Sequence, residues 1–356
     1  LPALVLDQSD QNAIHASRRP TGELLDRLSA QMALTLLTPY ETSKPVSGSG
    51  FFGRELDLRR ILQGGASNFA IMGIRRIGKT SLLREVERRL RAVAQESQDE
   101  RALERIIVMD CSAIASPHDF IQEVVRTLHP PELMRLNNQQ FPIFFPNFLE
   151  RMARRFGGPL TFILDEFDSL LAWHATDEML LNALRTSSNL GHSRYIIAGF
   201  RELMRAASNL NSPIYNFAKI IRLKEFSREQ ATEMIVGPLE KLRVHFEQRS
   251  EIINRLYDDT AGQPNLIQFY CQALVEHLDQ ENSRVLTLND LGDVYANEDF
   301  RTFVLGAFMD NTTHLEKVIV FAVMAEYGND HTFDLAAINE ALARRQVDTF
   351  VLDMEQ

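Results

Sequence analysis

The sequence predicts an α/β architecture: a parallel sheet with helices on both faces, followed by an α-helical lid and a last unit of short helices. Three observations lead to it. Phe69-Ala70-Ile71-Met72 is a short apolar run that passes into Gly73-Ile74-Arg75-Arg76-Ile77-Gly78-Lys79-Thr80. Leu82, Leu83, Val86, Leu90 and Val93 then recur at helical spacing. Leu160 to Leu164 is a second apolar run, and it ends in Asp165-Glu166-Phe167-Asp168. Ile106 to Met109 is a third, continuous rather than alternating, as in strands buried on both faces of a parallel sheet.

Each element follows in order. In residues 1–50, Leu24, Leu25, Leu28, Met32, Leu34, Leu36 and Leu37 read as one partly amphipathic helix after Pro20-Thr21-Gly22. It is either the tail of an upstream domain or an arm packed on the core. Thr42 to Gly50 is a linker by composition, so a boundary is expected at residue 50. Residues 51–224 form the sheet-bearing core. Phe51 to Glu55 lead into a helix with Leu56, Leu58, Ile61 and Leu62. Ser116-Pro117-His118-Asp119 opens another helix, with Ser as cap and Pro in the first turn. The Pro/Phe-rich patch Phe141 to Pro146 reads as core lining ahead of a helix over 147–156, which Gly157-Gly158-Pro159 ends. Ser193 to Arg201 and Phe217 to Leu223 are further strands.

Residues 225–284 are the expected lid. Ser227-Arg228-Glu229-Gln230 is a capping box, and helices flank the Gly262-Gln263-Pro264 turn. Residues 285–356 are the expected winged-helix-like unit. Its helices start at Asn289, run over Lys317 to Glu326, continue from Leu335, and begin again over Val347 to Met354.

Composition narrows the function. A chain of 356 residues, 45% hydrophobic and 24% charged, can bury cores for two or three domains. A net charge of −10 argues against tight, sequence-blind nucleic-acid binding, which rests on Lys and Arg neutralising phosphates. The Arg84, Arg88, Arg89 and Arg91 cluster reads as a solvated helix face. Cys111 and Cys271 are far apart, which suits a reducing compartment without a disulfide framework. The nine histidines show no ligand spacing, so no structural zinc is expected. No apolar run reaches membrane-span length and no signal peptide is evident, so a cytoplasmic protein is expected. The chain starts at Leu1 rather than Met and stops in an unfinished helical pattern, so it is expected to be part of a longer protein.

The chemistry lies in two motifs. Gly73 to Thr80 has the G-x-x-x-x-G-K-[ST] pattern of a phosphate-binding P-loop. Gly73 and Gly78 permit a backbone path that turns loop N–H groups toward phosphate oxygens, and the following helix adds the positive end of its dipole. Lys79 would reach the outer phosphates, and Thr80 would offer its hydroxyl to Mg²⁺. Asp165, at the carboxyl end of its strand, would hold Mg²⁺ through water. Glu166 is the candidate to orient and polarise the attacking water. Asp168 reads as the cap of the helix that follows it. Arg201 lies after a strand that ends at the same face, where it either senses a γ-phosphate or pairs with a carboxylate.

Together these stretches resemble the AAA+-like ATPases of the STAND class, which share a module with origin-recognition-complex-type ATPases. Phe52-Gly53-Arg54-Glu55, the Gly73–Thr80 loop, Asp165 to Asp168, Ile197 to Arg201 and Gly262-Gln263-Pro264 carry the resemblance. It implies ATP or ADP with Mg²⁺ on Gly73, Ile74, Arg75, Arg76, Ile77, Gly78, Lys79, Thr80 and Ser81. It implies an adenine pocket lined by Phe52, Gly53 and Arg54 and closed by Pro264, with Arg201 in the place of the arginine that follows the sensor strand. It further implies a nucleotide-operated switch in bacterial, including antiviral, defence or signalling, acting on self-association or on an effector or sensor partner. Gly199-Phe200 stands where relatives carry a polar sensor residue, and no arginine identifies itself as a trans-acting finger, so hydrolysis is expected to be slow. The alternative is a DNA-binding, origin-recognition-like loader or regulator. Arg344 and Arg345 are the only clustered bases in the last unit, so nucleic acid is not the favoured partner.

Overall fold

The computed structural model describes residues 5–128, 141–172, 179–328 and 334–345. The chain divides into two units, Leu1–Tyr295 and Ala296–Gln356. The first unit is built on five strands: β1 (Phe69–Met72), β2 (Ile106–Asp110), β3 (Leu160–Asp165), β4 (Ser193–Gly199) and β5 (Lys219–Arg222). They form one sheet in the order β2-β3-β4-β1-β5, with every neighbouring pair parallel.

Strand residues alternate between two cores, because successive side chains point to opposite faces. Phe69, Ile71, Ile163, Ile196, Ala198 and Ile221 pack with Leu58 and Ile61 of the Glu55–Gln63 helix and with Leu82, Leu83 and Val86 of the Lys79–Glu96 helix. Ala70, Met72, Ile107, Met109, Phe162, Leu164, Tyr195 and Ile197 pack with the Pro117–Thr127, Phe141–Arg155 and Met179–Asn189 helices through Phe120, Phe148 and Leu184. Burying each of the larger aliphatic and aromatic side chains stabilises the fold by roughly 1.5–3 kcal/mol. Tyr195 also stacks on Phe162 with ring centroids 5.0 Å apart, and its hydroxyl accepts a hydrogen bond from Ser193 Oγ. A parallel sheet with helices on both faces is therefore the observed fold.

Three expectations change. Ile106 to Asp110 was expected to be buried on both faces; as an edge strand it alternates, with Val108 42% exposed. The helix expected from residue 147 begins at Phe141 and contains Pro146. The burial of Phe145, Phe148 and Leu149 outweighs the one backbone bond that proline forfeits. Phe145 is fully buried, so this part of the patch lines the core.

The third change is at the start of the chain. The single helix expected around Leu24 to Leu37 is two, Pro20–Ala30 and Leu34–Leu37. The second is capped by Asp279, whose carboxylate accepts from Leu34 N–H (2.6 Å), Thr35 N–H (2.8 Å) and Thr35 Oγ1 (2.6 Å). Such a cap, 245 positions away, leaves no local pattern. The segment that composition marks as a linker is a strap. Tyr40 Oη donates to the Ile235 carbonyl at 3.0 Å, and Gln268 Oε1 accepts from Glu41 N–H at 3.2 Å. Further on, Val46 N–H donates to Ser81 Oγ (3.2 Å) and Gly48 N–H to Glu85 Oε2 (2.9 Å).

Behind β5, the helices Arg228–Lys241, Arg249–Thr260 and Pro264–Gln280 pack together, with His245–Phe246 and Val285–Leu286 forming a two-stranded parallel pair. The Ser227 and Gln230 capping box is present. The second unit contains the helices Glu298–Asn311, His314–Tyr327 and Leu335–Arg344, and no strand among its described residues. The helix expected over Val347 to Met354 lies outside the described residues. Among the described residues no helix is long and apolar enough to cross a membrane.

Candidate nucleotide-binding site

β1 lies between β4 and β5 near one edge of the sheet, and its carboxyl end runs into Gly73. A Cβ on Gly73 would lie 2.8 Å from Ile77 Cγ2 and 3.0 Å from the Leu223 carbonyl oxygen, so only glycine fits there. Ile77 is buried and pins the loop to the core, while Ile74 packs partly buried against the same cluster. Arg75 and Arg76 are exposed at the loop's outer side, with Arg76 at φ +64°. Gly78 turns the chain at φ +102° and caps the Lys79–Glu96 helix without a side-chain hydrogen bond. The first-turn N–H groups therefore carry no side-chain cap at the helix's positive end, the arrangement that accepts an anion.

Lys79 is only 6% exposed, and its Nζ donates to the carbonyls of Gly73 (2.8 Å) and Ile74 (3.0 Å). Burial pushes its ammonium below the ordinary lysine range, opposed by Glu166 and Asp165. Thr80 Oγ1 donates to Asp165 Oδ2 at 2.6 Å, so the two residues read as Mg²⁺ ligands meet across two elements. A hydroxyl and a carboxylate in contact at a strand end fit a hard divalent cation, whose ligands are oxygens. The other oxygen of Asp165 accepts from Glu166 N–H at 2.9 Å. Glu166 itself stands at φ +48°, a left-handed conformation that costs of order 1–3 kcal/mol in a non-glycine residue. Burial raises its pKa, countered by Lys79. A raised carboxylate pKa at a strand end facing a loop lysine suits a general base.

Arg201 begins the Arg201–Ser208 helix, and its guanidinium lies over the Phe200 ring at 5.0 Å. The same ring lies 5.9 Å from Lys79 Nζ. Asp168 does not cap its own helix. It accepts from Phe200 N–H (2.7 Å) and Leu203 N–H (3.0 Å), so it caps the Arg201–Ser208 helix instead.

Of the residues expected around a base, Gly53 and Arg54 both meet Phe226. Gly53 sits at φ +70° where a Cβ would lie 2.8 Å from the Phe226 ring. Arg54 is buried. Its Nη2 donates to the carbonyls of Ile77 and Lys224, and its guanidinium stacks 4.8 Å from the Phe226 centroid. Phe52, half-buried, precedes them. Gly262, at φ +69°, accepts from Phe226 N–H at 2.8 Å, and Pro264, buried, opens the helix that follows. Arg54 Nε and Asn265 Nδ2 are buried donors without a hydrogen-bond partner, which suits an end of the site that meets an acceptor-rich ligand.

Sequence reasoning missed three contributors. Phe226 contacts Gly53 and Arg54, Gln230 Nε2 donates to the Gly53 carbonyl, and Tyr257 Oη donates to the Phe226 carbonyl at 3.2 Å. Phe226 did leave a signal, as the apolar residue ahead of the Ser227 cap. Gln230 satisfies the capping box with one atom and reaches Gly53 with another, and only the first is written in the local pattern.

Residues 62–205 match the family model described as AAA domain. Among solved structures, the Walker-type ATPase of Pyrococcus abyssi is similar at 16% identity and a TM-score of 0.58, over 86% of this chain and 87% of that one. The Aeropyrum pernix ORC2 protein in its ADPNP–ADP complexes is similar at 15% identity and a TM-score of 0.54, over 84% and 78%. The Aeropyrum pernix ORC1 protein in complex with DNA is similar at 15% identity and a TM-score of 0.51, over 88% and 81%. At these identities the likeness establishes a shared fold. No curated protein matches this chain.

Proposed function

We propose that this chain is an ATP-binding, slowly hydrolysing molecular switch. The single observation that carries the reading is the 2.6 Å contact between Thr80 Oγ1 and Asp165 Oδ2, beside a glycine-bounded loop whose lysine is buried against it. Magnesium ATP would supply the phosphoanhydride and the divalent charge held between those two residues. Lys79 exchanges the Gly73 and Ile74 carbonyls for outer phosphate oxygens, so its charge stays compensated at each stage. Thr80 and Asp165 hold the cation. Glu166 orients a water and takes its proton as the water attacks. Phe52, Gly53, Arg54 and Pro264 enclose the base. The match to an AAA domain supports nucleotide chemistry at this loop.

The switch reading rests on connectivity within the first unit. Arg54 ties the P-loop carbonyl of Ile77 to the Lys224 carbonyl at the head of the helical segment. Phe226 N–H then donates to the Gly262 carbonyl, joining the start of that segment to the turn between its second and third helices. Movement of the loop on nucleotide exchange is thereby transmitted to the lid, the transition through which such folds control association or an attached effector. The resemblance to STAND-class proteins supports bacterial defence or signalling as the setting of that output. Mass determination with ADP and with a non-hydrolysable ATP analogue tests it, alongside a turnover assay. The expected result is nucleotide-dependent association with slow phosphate release; identical masses and no turnover would overturn it.

A second reading, DNA binding, is favoured by the likeness to the ORC1 protein in complex with DNA, which spans 88% of this chain. Charge argues against it. Arg344 is paired with Glu326 and Glu340, and Arg345 with Glu326, so the expected basic cluster is neutralised within its own unit. Submicromolar, steeply salt-dependent binding to random duplex would reverse this order.

A further inference from the structure

Asp168 is the acid of the Asp165–Asp168 run that the mechanism above leaves unused. Both of its carboxylate oxygens are engaged by the backbone that follows β4: Oδ2 accepts from Phe200 N–H and Oδ1 from Leu203 N–H. The Arg201–Ser208 helix has no side-chain cap from its own N-cap residue, Phe200, so Asp168 supplies one from 32 positions away. A second link runs beside it, with Phe167 N–H donating to the Ala198 carbonyl at 2.8 Å.

The same geometry accounts for the glycine where a polar residue was expected. A Cβ on Gly199 would stand 2.3 Å from Asp168 Oδ2 and 3.0 Å from Leu203 Cβ. Any side chain there would expel the carboxylate. Phe200, one residue on, adopts φ −132°, ψ −106°, outside the helical and strand regions. The clamped backbone carries the Phe200 ring, whose centroid lies 5.9 Å from Lys79 Nζ and 5.0 Å from the Arg201 guanidinium.

We propose that Asp168 is a positioning residue. It fastens the loop that carries Glu166 to the turn that carries Phe200 and Arg201, so that both keep their placement relative to Lys79. Gly199 is the residue that makes room for the clamp. The inference rests on the ATPase reading and adds a role for two residues that do not touch nucleotide.

The test uses the full chain with Asp168→Ala, Asp168→Asn, Gly199→Ala and the Asp168→Ala/Gly199→Ala double variant. Displacing catalytic groups by about 1 Å lowers rates on the order of a hundredfold, and that is the expected fall in kcat for Asp168→Ala and Gly199→Ala. Affinity for a fluorescent ATP analogue should stay within about threefold, because the phosphate loop and Lys79 are not part of the clamp. Asp168→Asn keeps one carbonyl acceptor and should recover part of the rate. The double variant should be no slower than Asp168→Ala, since the added Cβ then has space. Amide exchange at Phe200 and Leu203 should quicken in Asp168→Ala. Unchanged kcat in Asp168→Ala, affinity lost in step with kcat, or single effects that multiply in the double variant would each overturn the proposal. If Asp168→Ala fails to fold, Gly199→Ala and Asp168→Asn decide the matter by the same measures. A parent chain that neither binds nor hydrolyses ATP sinks the functional reading. A parent that hydrolyses it, matched by Asp168→Ala, sinks only the positioning role.

Discussion

The two ends of the candidate site are built in different ways. At the phosphate end, polar groups of a helix start, a loop and a strand end meet: Thr80 with Asp165, and Lys79 with the carbonyls of the loop before it. At the base end, backbone and packing dominate. Gly53 and Gly262 fit against Phe226, and Arg54 spends its guanidinium on two carbonyls and a ring rather than on an acid. The first end is a set of reactive groups held on a rigid sheet. The second is a joint between the core and the helices behind it. Substitutions at the first should therefore alter chemistry with little effect on folding, whereas substitutions at the second should alter stability and affinity together.

The largest effect expected is on rate. Glu166→Gln keeps the size of the side chain and removes its basicity, so kcat should fall roughly 10²- to 10⁴-fold while ATP stays bound, as single-turnover and equilibrium-binding measurements would register. Turnover at the parent rate would mean that another group positions the water. Lys79→Ala comes next. Loss of a charge-assisted contact to phosphate costs roughly 1.5–3 kcal/mol, which is about ten- to a hundredfold in affinity, read by titration with a fluorescent nucleotide. Retained affinity would remove the loop from the site.

Arg54→Ala tests the joint. It uncovers the carbonyls of Ile77 and Lys224 and removes the ring contact with Phe226, so stability should fall by about 2–3 kcal/mol. Arg54→Lys should recover part of the loss, because an ammonium can donate to both carbonyls but lacks the planar face that the guanidinium lays on Phe226. Thermal melting with and without nucleotide separates the outcomes. A variant that loses affinity but melts like the parent would make Arg54 a base ligand alone, and the contrast between the two ends would collapse.

The difference between the ends also explains what the amino-acid order could convey. The sheet, the loop and the acids were legible because each is a local pattern: an apolar run, then glycines and Lys-Thr, or an apolar run, then Asp-Glu. Contacts between distant residues were not. Asp279 capping Leu34, Asp168 capping the helix after Phe200, and Gln230 reaching Gly53 each join positions that no period or spacing relates. Thr42 to Gly50 shows the limit most clearly. Its Ser, Pro and Gly content describes a chain with few side chains to bury, and the strap is held largely through its backbone N–H groups. Composition carries no record of backbone donors. Resemblance pointed to Phe52, Gly53, Arg54 and Pro264, but not to the packing of Gly53 and Arg54 on Phe226.

The strap supplies the smallest effect and the one that connects both ends. Glu85 accepts from Gly48 N–H of the strap and from Arg88 and Arg89 on its own helix, with a side chain 1% exposed. The Arg88 hydrogen bonds, with the Gly48 and Arg89 bonds behind them, hold its carboxyl down at about 2, against 4.5 for an ordinary glutamate. Its folded pKa is depressed, so its stabilisation is complete above about pH 4.5 and is lost as pH falls toward 2. Each unit of depression is worth about 1.4 kcal/mol, and screening around the half-exposed arginines reduces the total to roughly 2 kcal/mol. Glu85→Gln should therefore be less stable than the parent at neutral pH, with the gap closing below pH 4.5 in denaturant titrations run at several pH values. If instead the gap is constant with pH, Glu85 acts by shape alone. If Glu85→Gln also frees the strap, amide exchange at Gly48 should quicken while that at Leu34, capped by Asp279, does not, which would separate the strap's anchorage on the P-loop helix from its anchorage on the helices behind β5.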